Sequence, residues 1–176
     1  MLTDLQLIEK LLFFFFKVDV FVSRDLDSLI SDREQAAVQD WLNSEAAFHV
    51  MRDHPDHGVP MLGSAWGTKL NVEGVRQKWE NSWEKAFHKR YLWARKDAWG
   101  PDQNFLENFI WPWAQNISIG HDAYHCEKFN FTRPFPTQRK NEPNNFIAAV
   151  INDYWTNKFE CPLACRPQDH QDWTYC

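Results

Sequence analysis

The residues best suited to chemistry in this chain are Asp25 and Asp27, in the run Ser23-Arg24-Asp25-Leu26-Asp27-Ser28. They follow the apolar stretch Val18-Asp19-Val20-Phe21-Val22, which reads as a buried strand over 18–23. Hard cations such as Mg2+ or Mn2+ take carboxylate oxygens, commonly one or two together with substrate phosphates. Ligands of open α/β sheets sit where strands end. A D-x-D at a strand end is therefore what an enzyme handling a sugar diphosphate needs, although a solvated surface pair has the same letters.

Three further polar groups stand at the ends of apolar segments: Asp53/His54/Asp56/His57, Asp102/Gln103 and His121/Asp122/His125. Each alone reads equally as a cap or a loop. Four such groups in one small domain imply side chains converging on one edge of a sheet.

The elements that must position them follow from period and punctuation. Residues 3–16 read as a helix burying Leu5, Ile8 and Leu12. Ser31-Asp32-Arg33-Glu34 is a capping box opening a helix to Leu42, with Ala37, Val38, Trp41 and Leu42 on its apolar side. Phe48–Met51 is a short strand, and Met61–Gly67 a glycine-containing loop or strand end. A long helix runs from about Val72 to Trp93, its core face marked by Val75, Trp79, Trp83, Ala86 and Phe87. Gly100-Pro101 starts another helix, with Pro at the first position and Asp102 near the positive end of the dipole. Trp111-Pro112-Trp113 closes that helix. Ile117–Ile119 is a short strand, and one more helix is expected over 145–156. Strands alternating with helices favour an α/β architecture, a mixed sheet flanked by helices, in one domain over 1–176 with a Cys/Pro-rich tail at 157–176.

Composition narrows the classes. A chain of 176 residues is long enough for a real core, and a net charge of −5 argues against nucleic acid as partner. With 10 Trp, 14 Phe and 4 Tyr, there are rings enough for the core and for a sugar-binding cleft. The four cysteines, Cys126, Cys161, Cys165 and Cys176, fit disulfides in an oxidising compartment, in any of three pairings. The competing reading is zinc held by Cys161, Cys165, His170 and Cys176. Sequons at Asn116-Ile117-Ser118 and Asn130-Phe131-Thr132 tilt the balance toward disulfides and the secretory pathway. Leu11–Phe16 is too short and too closely flanked by charge to span a bilayer or serve as a signal peptide, so no targeting segment is read in this chain.

The segments SRDLDS (23–28), DREQAAVQDWL (32–42), FHVMRDHPDHGVPMLGSAWG (48–67), GPDQNFL (100–106), HDAYHC (121–126), FPTQR (135–139) and CRPQDHQDWTYC (165–176) together resemble a nucleotide-diphospho-sugar glycosyltransferase of the GT-A type. More narrowly, they resemble a group of uncharacterised animal and bacterial transferase-like proteins. The resemblance implies a GT-A-like sheet and Mn2+ (or Mg2+) held by Asp25 and Asp27, with His121 completing the shell. It implies Asp53 or Asp102 as the base that deprotonates an acceptor hydroxyl, with Asp53 slightly preferred for its denser polar loop. Arg24, Gly63, Trp66, Gly67 and Gln103 are the expected donor- or acceptor-binding residues, the two glycines admitting a sugar that the Trp66 face covers. The implied partners are a nucleotide-sugar donor and a glycan or glycoprotein acceptor, in the Golgi lumen, with any membrane anchor in a longer parent. In GT-A folds the base-binding strands precede the D-x-D. Here it arrives 25 residues in, so the resemblance also implies a chain shortened at its amino end that lacks the upstream half of the nucleotide-binding unit.

Two other readings compete. A metal-dependent hydrolase would gather His54, His57, His121, Asp122 and Asp53 around a water-activating ion. A carbohydrate-binding module would display Trp rings with no convergent carboxylates.

Overall fold

A computed structural model describes residues 18–88, 100–140, 142, 145–150 and 159–176. Five strands form one mixed sheet: β1 (Val20–Arg24), β2 (Phe48–Arg52), β3 (Ala65–Lys69), β4 (Ser118–Asp122) and β5 (Thr132–Arg133), in the order β1-β3-β2-β4-β5. β3 is antiparallel to β1 and β2, while β4 is parallel to both β2 and β5. Strands β1, β2, β4 and β5 therefore point one way, and their carboxyl ends share an edge with the start of β3. The expected α/β class, a mixed sheet flanked by helices, is what the chain adopts.

Helix α1 (Asp32–Leu42) lies on one face of the sheet. The other face carries α2 (Val75–His88) and the segment α3 (Pro101–Phe105), a π-helical turn (Leu106–Ile110) and α4 (Trp111–Ala114). Side-chain alternation in β2 assigns the faces. Phe48 and Val50 join Trp66, Trp79, Phe105, Leu106, Ile110 and Ala114 in one core. His49 and Met51 turn the other way, His49 stacking on Trp41 of α1 at 5.3 Å and Met51 packing with Ala37. Every residue of β2 and β4 is buried, as strands covered on both faces must be.

The first core is a lattice of rings. Trp66 meets Phe21 edge-on at 5.2 Å and stacks with Trp79 at 5.4 Å, and Trp83 lies 4.4 Å from Phe105. The second core is smaller-grained: Ala37, Met51, Ala65, Ala123, Phe135 and Ile147 pack with Cys161 and Cys176. There the chain is tied by the disulfides Cys126–Cys165 and Cys161–Cys176. These bonds use the three sulfurs that the zinc reading needed.

Several boundaries differ from the sequence reading. Met61–Gly67 is split, with the strand beginning at Ala65 and running to Lys69. His121 and Asp122 lie inside β4 rather than after it. Trp111-Pro112-Trp113 does not end its helix: the chain widens into the π-helical turn and resumes as α4. Pro112 has no N–H to donate to Asn108 O and its ring would crowd that carbonyl; the wider π turn before it, with the Trp111 N–H on Leu106 O, makes room. Within 145–150 there is a turn, with Ala148 at φ 67°, and a bridge from Val150 to Ser28 instead of the expected helix. The helix read at 3–16, and the parts of two others at 89–93 and 151–156, fall outside the described residues.

Candidate active site at the carboxyl edge of the sheet

The shared edge collects the polar groups. Asp25 and Asp27 follow β1, the Asp53–His57 loop follows β2, His125 follows β4, and Gly63 precedes β3. Asp102, at the start of α3, reaches the same place through Gly63. A Cβ on Gly63 would lie 2.9 Å from Asp102 Oδ2, so the carboxylate tip sits directly over the glycine and would have to turn aside for any larger residue.

The D-x-D turn is built outward. Leu26 is fully exposed at its tip, and Asp25 and Asp27 are exposed on either side. Among the described residues neither carboxylate has a hydrogen bond or ion pair, and both face solvent. The backbone beneath them is anchored. Ser23 Oγ donates to Gly63 O at 2.8 Å, and Ser28 bridges Val150. Gly63 N–H in turn donates to Gln103 Oε1 at 3.0 Å, while Gln103 Nε2 donates to Met61 O at 2.5 Å and to Glu107 Oε1 at 3.1 Å. Asp25, Asp27, Gly63, Asp102 and Gln103, read separately from the sequence, are thus linked through Ser23. Asp102 remains exposed.

Asp53 has a different environment. It is fully buried, with Arg33 donating to both its oxygens at 3.2 and 3.1 Å through Nε and Arg139 Nη2 donating to Oδ1 at 2.6 Å. The Ile147 N–H donates to Oδ2 at 3.1 Å. Burial alone would raise its pKa, but the two guanidiniums hold it below the usual carboxylate range. Arg33 also donates to Thr137 O and Cys176 O, and Arg139 to Tyr124 Oη at 2.7 Å. Asp53 is a fixed anion that ties α1, β2 and the tail together, and both its oxygens are engaged. Of the two carboxylates expected as base, Asp102 is the one open to solvent.

His121 is likewise committed. It is fully buried, its Nδ1 is 2.8 Å from His49 Nε2, and its Nε2 is 3.1 Å from Asp40 Oδ2, which Arg133 Nη1 also reaches at 2.8 Å. Asp40 can only accept, so His121 carries its proton on Nε2 and accepts from His49 Nε2–H, an assignment that follows from the network. Burial pushes His121 down to about 4, against the pull of Asp40, and His49 well below its ordinary value. Both rings are neutral at physiological pH. With both His121 nitrogens engaged, the third ligand expected for the D-x-D cation is not supplied there. Among the described residues no three His, Cys, Asp or Glu side chains come together as a metal-ligand set.

The histidines of the hydrolase reading are dispersed in the same way. His54 and His57 lie 5.4 Å apart beside Phe146, with burial holding His57 at about 4. His125 bonds to Pro55 O at 2.8 Å. Asp122 pairs with Arg52 at 3.2 Å and accepts the N–H groups of Tyr124 and His125.

Trp66 and Gly67 are core residues. Trp66 is 5% exposed, its faces taken by other rings. Gly67 leaves room for Trp41, which a Cβ would meet at 3.0 Å, and not for a sugar. The sequence reading missed Arg33, Arg139, Tyr124 and Asp40 as site-building residues. Arg33 was read as part of a capping box and Arg139 only as the last residue of the FPTQR segment. Only two partners distant in sequence make either of them legible. The chain matches no protein-family model, no curated protein and no solved structure.

Proposed function

We propose that this chain transfers a sugar from a nucleotide-sugar donor to a glycan or glycoprotein acceptor, assisted by Mn2+ or Mg2+. The observation that carries the reading is the pair of exposed carboxylates, Asp25 and Asp27, on a turn braced by Ser23 to Gly63, the residue over which the exposed Asp102 lies. Two such groups fit a hard cation whose remaining ligands come from substrate phosphates. When bound, the cation offsets negative charge growing on the departing diphosphate.

The chain's own residues do the rest. Asp102 is placed to take the proton of an acceptor hydroxyl at the moment of attack. Its carboxylate lies over Gly63, and Gln103 binds both sides of the Met61–Gly63 loop and so ties that loop to the start of α3. Asp53, through Arg33 and Arg139, holds the loop after β2 and the tail in register without touching substrate. The two disulfides support an oxidising compartment, consistent with the secretory lumen.

The test is calorimetric titration of Mn2+, with and without UDP, on wild type and on an Asp25→Ala/Asp27→Ala variant. Binding that tightens with UDP and disappears in the variant supports the transferase. Binding that survives the substitutions places the metal elsewhere and removes the donor site. Absence of any metal binding favours a carbohydrate-binding module.

A further inference from the structure

The capping box at the start of α1 is only half closed. Ser31 Oγ accepts the Glu34 N–H at 3.1 Å, as expected, but the Glu34 carboxylate does not return to the cap. It turns to Arg24, whose Nε donates to Glu34 Oε1 at 2.5 Å. Glu34 is 3% exposed, and its other oxygen has no hydrogen-bond partner among the described residues. A buried carboxylate held on one oxygen by one arginine is a costly arrangement, so what that arginine does matters.

Arg24 is the residue immediately before Asp25. Its guanidinium spans the D-x-D turn, with Nη2 donating to Leu29 O at 3.0 Å and Nη1 reaching Ser28 O at 3.4 Å. One side chain thus closes the loop from 24 to 29 and fastens it to α1. The turn has few other anchors: Ser23 to Gly63 at its start and the Ser28–Val150 bridge at its end. The three bonds leave from three separate nitrogens of one planar fork, Nε to the carboxylate and one Nη to each carbonyl, a spread that the single ammonium nitrogen of a lysine does not reproduce.

We propose that Arg24 and Glu34 form a latch that presents Asp25 and Asp27 to a divalent cation. Arg24 is a positioning residue and touches neither cation nor substrate. The latch rests on the cation-binding reading above. Electrostatics alone gives the opposite expectation for Arg24. A guanidinium next to two carboxylates repels a cation, so its removal tightens binding if charge is its only effect. Glu34, paired with Arg24 Nε, offsets that charge.

The sign of the effect decides. Mn2+ affinity is measured by calorimetry on wild type, Arg24→Gln, Arg24→Lys, Glu34→Gln and the Arg24→Gln/Glu34→Gln pair, with hydrogen exchange at the amides of Leu26–Leu29 read in the absence of metal. A latch predicts affinity about 10- to 100-fold weaker in Arg24→Gln, as for other residues that orient ligands. Lysine does not rescue it, and exchange in the turn is faster. The doubly neutral variant, which leaves no buried unpaired carboxylate, stays weak. Unchanged or tighter Mn2+ binding in that variant, or restoration by lysine, overturns the latch. If Asp25→Ala/Asp27→Ala binds Mn2+ as wild type does, the cation reading itself fails. The exchange rates still report whether Arg24 closes the turn.

Discussion

The two faces of this sheet are covered by different chemistry. Under α2, α3 and α4 the sheet meets rings: Phe48, Trp66, Trp79 and Phe105 interlock. Under α1 and the tail it meets buried ions, the His49–His121 pair and two disulfides. Apolar packing tolerates changes of solution conditions and punishes changes of volume. A buried ion network does the reverse, because each charge is tolerable only while its partners are present and ionised. The candidate site stands at the edge where both faces end: α3 of the first face brings Asp102 and Gln103, and the turn that carries Asp25 and Asp27 is fastened to α1 of the second through Arg24 and Glu34.

The sharpest way to separate the faces is to reduce the disulfides. Each is expected to contribute about 2–4 kcal/mol. Hydrogen exchange after reduction should accelerate in β5 and 159–176 while the Trp66–Trp79 core keeps its protection; uniform loss would show that the faces unfold as one. Next in size, Asp53→Ala leaves Arg33 and Arg139 as buried unpaired cations and should cost about 3–5 kcal/mol in urea unfolding. A cost below 1 kcal/mol would mean that water or other groups satisfy them and that the network is not what ties α1 to the tail.

The histidines give a smaller, pH-dependent contrast. His121 and His57 titrate at about 4 in the folded chain because they are buried. Unfolded, they titrate near 6.5. Between those values the unfolded chain takes up protons that the folded chain refuses. Stability is therefore complete above about pH 6.5 and falls as pH drops toward 4, by up to about 1.4 kcal/mol per pH unit per histidine. Unfolding curves at pH 7 and pH 5 check this, and His121→Gln should flatten the difference. Smallest is Trp66→Phe, expected at about 1–2 kcal/mol, below the cost of full truncation, and independent of pH. A pH-dependent loss there would erase the distinction between the faces.

The ring-built face was largely readable in advance. Val75, Trp79 and Trp83 recur at helical spacing, and Gly100-Pro101 marks a helix start, because these signals are local. The D-x-D and its place at a strand end were readable for the same reason. Gly63, Asp102 and Gln103 were named from separate segments, and their joining through Ser23 came from the fold. Trp66 shows the limit in the other direction: a tryptophan between two glycines reads as a sugar platform, and only the strand's alternation shows that it faces inward. His121 reads as a ligand until β4 places it between His49 and Asp40.

The sequence by itself determined the class of fold, the main helices and strands, and the turn that exposes Asp25 and Asp27, since each depends on periodicity or on residues within one turn of each other. The tertiary structure alone decided which carboxylate stays open, Asp102 rather than Asp53, and which cysteines pair. It also decided that Glu34 answers Arg24 instead of its own helix cap. These outcomes depend on partners up to 143 residues apart, as in the Arg33–Cys176 contact. Burial and charge at such sites are set by what the folded chain brings beside them.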